Sequence, residues 1–107
     1  MMADVIWQKS MHEYYQIKDA VSSLLNADNY KEKTENTEVD YCGSIQTIFV
    51  SGEKRVLLGW DGEEGFGYAE VWENGDWRML PTKVLEDSSA NFKVAIEKLC
   101  SNIRGYL

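Results

Sequence analysis

The sequence predicts an α+β fold: a four-stranded antiparallel β-meander flanked by an N-terminal and a C-terminal α-helix, with the helices in a single layer on one face. Three observations carry this prediction. Near each end of the chain apolar residues recur at three- and four-residue steps, the spacing of one face of a helix. Between them, residues 44–82 are rich in β-branched and aromatic side chains broken by short turn signals. Within that stretch Asn74-Gly75 separates two such runs, and a type I′ hairpin turn needs the positive φ that this pair tolerates at both positions. With 107 residues the chain has material for one core, so residues 1–107 are read as a single domain.

The first helix is read over residues 10–27. Ser10-Met11-His12-Glu13 fits a capping box, in which hydroxyl and carboxylate each satisfy a free backbone N–H. Met11, Tyr14, Ile17, Val21, Leu24 and Leu25 form its apolar face. The preceding Asp4-Val5-Ile6-Trp7 fits either a short strand or an extension of this helix. Residues 28–40 hold five acids and two lysines, with Tyr30 and Val39 the only strongly apolar side chains, and read as a solvated loop.

Strands follow over residues 45–50, 55–60, 66–73 and 76–80, joined by Ser51-Gly52-Glu53-Lys54, by Asp61-Gly62-Glu63-Glu64-Gly65 and by Asn74-Gly75. A cap at Asp87, Ser88 or Ser89 opens the second helix. Phe92, Ile96, Leu99 and Ile103 line one of its faces, and it ends near Gly105. The two-residue Asn-Gly loop also fixes a register: Glu73 faces Asp76, Trp72 faces Trp77 and Glu70 faces Met79. Because side chains alternate across a strand, Phe66, Tyr68, Glu70, Trp72, Trp77 and Met79 share one face, and Ala69, Val71, Arg78 and Leu80 the other. Both faces have apolar content, so which one the helices cover stays open.

Catalytic signatures are absent from the sequence: there is no HExxH, no P-loop and no GxSxG. The single histidine, His12, sits inside the first helix far from Cys42 and Cys100, and is read as a surface or packing residue. The glycines of residues 61–67 connect two strands and lie among three carboxylates, which would repel a phosphate. No enzymatic activity, cofactor or metal is expected. Cys42 and Cys100, 58 positions apart, are read as reduced thiols. Residues 1–7 lack a basic stretch followed by an apolar run, and nowhere does an apolar run approach the ~20 residues that span a bilayer. The expectation is a cytoplasmic protein.

Charge is distributed unevenly. Lys plus Arg number 11 against 18 Asp plus Glu, for a net charge of -7. That sign argues against direct binding of nucleic acid or of an anionic membrane. Residues 61–76 hold six acids and no base, in the same segment as Phe66, Tyr68 and Trp72, with Trp60 and Trp77 at its borders. Aromatic side chains serve as buried anchors at interfaces, and carboxylates steer a basic partner over distance. The candidate partner-binding residues are therefore Trp60, Asp61, Glu63, Glu64, Tyr68, Glu70, Trp72, Glu73, Asp76 and Trp77.

In size, acidity and this segment from Trp60-Asp61 to Trp77, the chain resembles bacterial toxin-immunity proteins, of the kind paired with contact-dependent inhibition or polymorphic toxins. The resemblance implies a high-affinity complex with a cognate basic protein, a nuclease toxin, whose active site or an exosite would be occluded. The carboxylates would meet Lys and Arg of the toxin, with Trp60, Trp72 and Trp77 as anchors. Two other classes follow from the same residues. One is a phage or mobile-element inhibitor that presents carboxylates in place of nucleic-acid phosphates to a host defence enzyme. The other is a self-associating domain, forming a homodimer through the aromatic hairpin.

Overall fold

The computed structural model describes residues 2–37, 43–85 and 90–107, and the side chains of residues 13–36, 43–85 and 91–107. Two helices and one open antiparallel sheet make up an α+β fold. Helix α1 (Met2–Ala27) is followed by strands β1 (Lys31–Thr37), β2 (Ile45–Ser51), β3 (Lys54–Asp61), β4 (Phe66–Glu73), β5 (Asp76–Met79) and β6 (Val84–Leu85), then by helix α2 (Ala90–Tyr106).

Helix α1 begins eight residues before the expected capping box, so Ser10 is a helix-interior residue and residues 4–7 extend the helix instead of forming a strand. Nothing in residues 2–9 stops a helix, which contain neither Gly nor Pro, and an interior Ser is only mildly unfavourable, by roughly 0.5 kcal/mol against Ala. The C-terminal end falls where the sequence placed it. Asn29 takes a left-handed φ of 66°. The N–H of Tyr30 reaches the carbonyl of Leu25 at 2.9 Å and that of Asn29 the carbonyl of Asn26 at 3.2 Å, the paired bonds of a Schellman cap. Tyr30 and Leu25 are both buried, which supplies the apolar contact that accompanies this motif. The cap expected at residues 87–89 lies outside the described residues.

The sheet runs β1-β2-β3-β4-β5, with β6 pairing the start of β4 on the same side as β5. Two of these strands were not anticipated. β6 is two residues long, too short for any periodicity. β1 replaces part of the expected solvated loop, and residues 31–36 are all exposed. It adheres as an edge strand by main-chain pairing with β2 and by ion pairs from Lys18 of α1 to Glu32 at 3.0 Å and to Glu35 at 2.7 Å. Its lysines, and the bulge between Glu32 and Thr34, are features that keep an edge from recruiting further strands.

Register decides which side chains form the core. Ile45, Thr47 and Phe49 of β2 lie opposite Trp60, Leu58 and Val56 of β3, and Val56 and Leu58 lie opposite Val71 and Ala69 of β4. This face is buried. Helix α1 lays Tyr14, Ile17, Val21 and Leu25 on it, and α2 adds Phe92, Leu99 and Ile103. The Tyr14 hydroxyl is buried with the Thr47 hydroxyl and donates to the Leu58 carbonyl at 3.2 Å. Burial drives the Tyr14 phenol far above its ordinary range, so it stays a neutral donor. Both helices thus occupy one face, and no described helix covers the other. Neither is long and apolar enough to cross a membrane.

Candidate functional site

The hairpin of β4 and β5 has the register expected from its turn. Asn74 and Gly75 have φ of 54° and 78°, and the pairs Glu73↔Asp76, Trp72↔Trp77 and Glu70↔Met79 all form. Tyr68, Glu70, Trp72, Trp77 and Met79 consequently project on the uncovered face. Val71 and Leu80 project into the core.

Continuing the register across β3 builds a grid on that face. Trp77, Trp72 and Arg55 make one row, Met79, Glu70 and Leu57 the next, and Tyr68 and Gly59 a third. The side chains of the grid cover one another. Trp72 and Trp77 pack edge to face with ring centroids 5.2 Å apart, and the Arg55 guanidinium sits 5.4 Å from the Trp72 centroid. Tyr68 lies flat across Gly59: a methyl group at position 59 would stand 2.3 Å from the tyrosine ring. Its hydroxyl accepts from Gln46 Nε2 at 3.1 Å on the far side of β3. A glycine within a strand marks such a close approach, and here it is what lets an aromatic ring lie on the sheet. Lys33, Thr34, Ile48, Val50, Arg55 and Trp77 line a shallow hollow of about 190 Å³ at the β1 side. Met79 is 47% exposed, and the tryptophans and Tyr68 are half-buried.

The ten predicted residues divide into distinct groups. Trp60 is 1% exposed and belongs to the core, so its ring offers nothing to a partner. Its alternation with Val56 and Leu58 was the sequence signal for that placement. Asp61 organises its own turn, its Oδ1 accepting the N–H groups of Glu63 and Glu64 at 3.0 Å each. Glu73 pairs with Arg78 through two hydrogen bonds of 2.8 and 3.1 Å, which hold its carboxyl below the usual range. Asp76 Oδ1 accepts the Trp77 N–H at 2.8 Å. Glu63 and Glu64 are exposed at the β3–β4 turn. Tyr68, Glu70, Trp72 and Trp77 alone come together as one surface.

Within that surface Glu70 differs from every other acid of the segment. It is half-buried between Leu57 and Met79 across the strands and Tyr68 and Trp72 along its own, and among the described residues it has no hydrogen-bond or ion-pair partner. Desolvation, then the negative charge of Asp76, raise its pKa above the ordinary carboxylate value. The cations that do reach the face, Arg55 over Trp72 and Lys83 at 4.6 Å over Phe66, stack on rings. Arg55, Leu57, Gly59 and Met79 lie outside the set read from the sequence. Of these, Met79 was placed on this face by the hairpin register, and a glycine in mid-strand is a sequence signal for a close approach.

Of the two cysteines, Cys100 is a buried free thiol whose pKa burial raises, the condition of an unreactive side chain, while Cys42 lies outside the described residues. The side chain of His12 is likewise outside them. Among the described residues no three His, Cys, Asp or Glu side chains converge as metal ligands. Comparison with protein-family models, with curated proteins and with solved structures finds no match for this chain.

Proposed function

We propose that the protein is a cytoplasmic binding protein that neutralises a basic protein partner through the uncovered face of its sheet, in the manner of an immunity protein occluding a nuclease toxin. The observation that carries this reading is the frame of Tyr68, Trp72, Trp77 and Met79 around the unpaired Glu70. Half-buried aromatic side chains are the residues that dominate binding energy once a partner excludes water from them. A net charge of -7, with Glu63 and Glu64 exposed beside this face, supplies attraction for a basic partner. A nucleic-acid mimic needs many free carboxylates, and Asp61, Glu73 and Asp76 are already bonded within the chain.

The test is affinity capture from host extract with the tagged wild-type protein and with the Trp72→Ala/Trp77→Ala variant, each shown by circular dichroism to be folded. The reading expects a stoichiometric basic protein with the wild type, lost with the variant, whose activity in purified form the wild type inhibits. A partner retained equally by both proteins would contradict it. So would self-association through this face, seen in light scattering as a dimer that the variant dissolves.

A further inference from the structure

An acid half-buried among apolar groups is unfavourable unless something pairs it. Two other glutamates of the sheet have such pairing within the chain. Glu35 has Lys18, Tyr15 and Thr47, and Glu73 has Arg78. Glu70 has no comparable partner among the described residues. Leu57 and Met79 offer it no donor, and the negative charge of Asp76 acts on it repulsively. Its position is nevertheless central, at the middle of the face, with a ring on either side along the strand.

The chemistry that fits this position is a planar cation. A guanidinium takes a carboxylate through two parallel N–H donors, stacks on aromatic faces and is less strongly hydrated than an ammonium group, so it enters a half-dry site more readily. The same face already stacks one guanidinium, that of Arg55 on Trp72. We propose that Glu70, framed by Tyr68, Trp72 and Met79, is the receptor for a single arginine side chain presented by the partner. This rests on the reading of the uncovered face as the partner surface, and it names the one contact at its centre.

The probe is the blocked tripeptide Ac-Gly-Arg-Gly-NH2, titrated into ¹⁵N-labelled protein while the indole N–H resonances of Trp72 and Trp77 are followed. The isosteric citrulline peptide, which is uncharged, is the control. The arginine peptide is expected to move both indole signals, with shifts at least several-fold smaller for the citrulline peptide and for Glu70→Gln. Equal shifts with the two peptides, shifts retained in Glu70→Gln, or no shift at all would overturn the arginine receptor. The two claims also fail separately. Capture of the partner that Trp72→Ala/Trp77→Ala abolishes but Glu70→Gln leaves intact would keep the face and remove the arginine contact. Capture that neither variant affects would remove the face itself.

Discussion

Glu35, on the exposed edge strand β1, and Glu70, half-buried on β4, are two glutamates of the same sheet, and their surroundings are opposite. Glu35 accepts from Lys18 at 2.7 Å, Tyr15 at 2.8 Å and Thr47 at 3.1 Å. Burial alone would raise its pKa, but these donors outweigh it and the carboxyl is held below its ordinary value. Glu70 has the burial without the donors, and its pKa moves up. The first carboxylate ties an otherwise polar edge strand to helix α1. The second has no hydrogen-bond or ion-pair partner among the described residues, and on our reading it is left for a partner. On that reading the difference separates acids that build this molecule from an acid kept for a partner, a distinction invisible in a charge count.

The comparison is most strongly tested at the rings around Glu70. Removing either indole, Trp72→Ala or Trp77→Ala, should weaken partner binding by ~2 kcal/mol or more, about 30-fold, in a calorimetric titration. Thermal unfolding should show the fold retained, because neither side chain is in the core. Next in size is Glu35→Ala, which strips Lys18, Tyr15 and Thr47 of their common acceptor. It should lower stability by about 1–3 kcal/mol in urea unfolding. Glu70→Gln should do the reverse and leave stability unchanged or raise it by up to about 1 kcal/mol, since it relieves an unpaired desolvated charge. A destabilised Glu70→Gln would mean that Glu70 has a structural partner.

Acid titration separates the two groups by sign. Glu70, with a folded-state pKa above its unfolded value, adds stability as pH falls through that raised value, and this contribution is complete below the unfolded one. Glu35, with a depressed folded-state pKa, contributes stability above its unfolded value of about 4.5 and loses it as pH falls further, through the folded value. Stability measured from neutral pH downward should therefore gain slightly from Glu70 before it falls with Glu35, and Glu70→Gln should remove only the gain. The smallest expected effect is kinetic. Reversing Glu63 and Glu64 to Lys should slow association several-fold at low salt with little change in dissociation, because exposed charges act on encounter.

How far the sequence revealed these features depended on whether local rules governed them. The hairpin register was legible in full, because Asn74-Gly75 permits one tight turn and the pairing follows from it. The apolar faces of both helices were legible from their spacing. β1 was not, since Lys31-Glu32-Lys33-Thr34-Glu35-Asn36-Thr37 has no apolar alternation and is held by Lys18, which lies 13 or more positions away. The covered face was also illegible: both faces of the β4–β5 hairpin carry apolar side chains, and Ile17 and Tyr14 dock on the one that holds Gly67, beside Thr47 and Leu58. At the candidate site, the cluster of Tyr68, Glu70, Trp72 and Trp77 could be read from alternation. That Asp61, Glu73 and Asp76 are internally bonded, and that Arg55 arrives from β3, could not.

The most direct test of the central claim is amide and indole chemical-shift mapping of the labelled protein in complex with its captured partner. The account predicts that the perturbed signals concentrate on β3, β4 and β5, with the Trp72 and Trp77 indoles among the largest and α1 and α2 largely unchanged. Perturbations confined to the outer surfaces of α1 and α2, with both indoles unmoved, would contradict it.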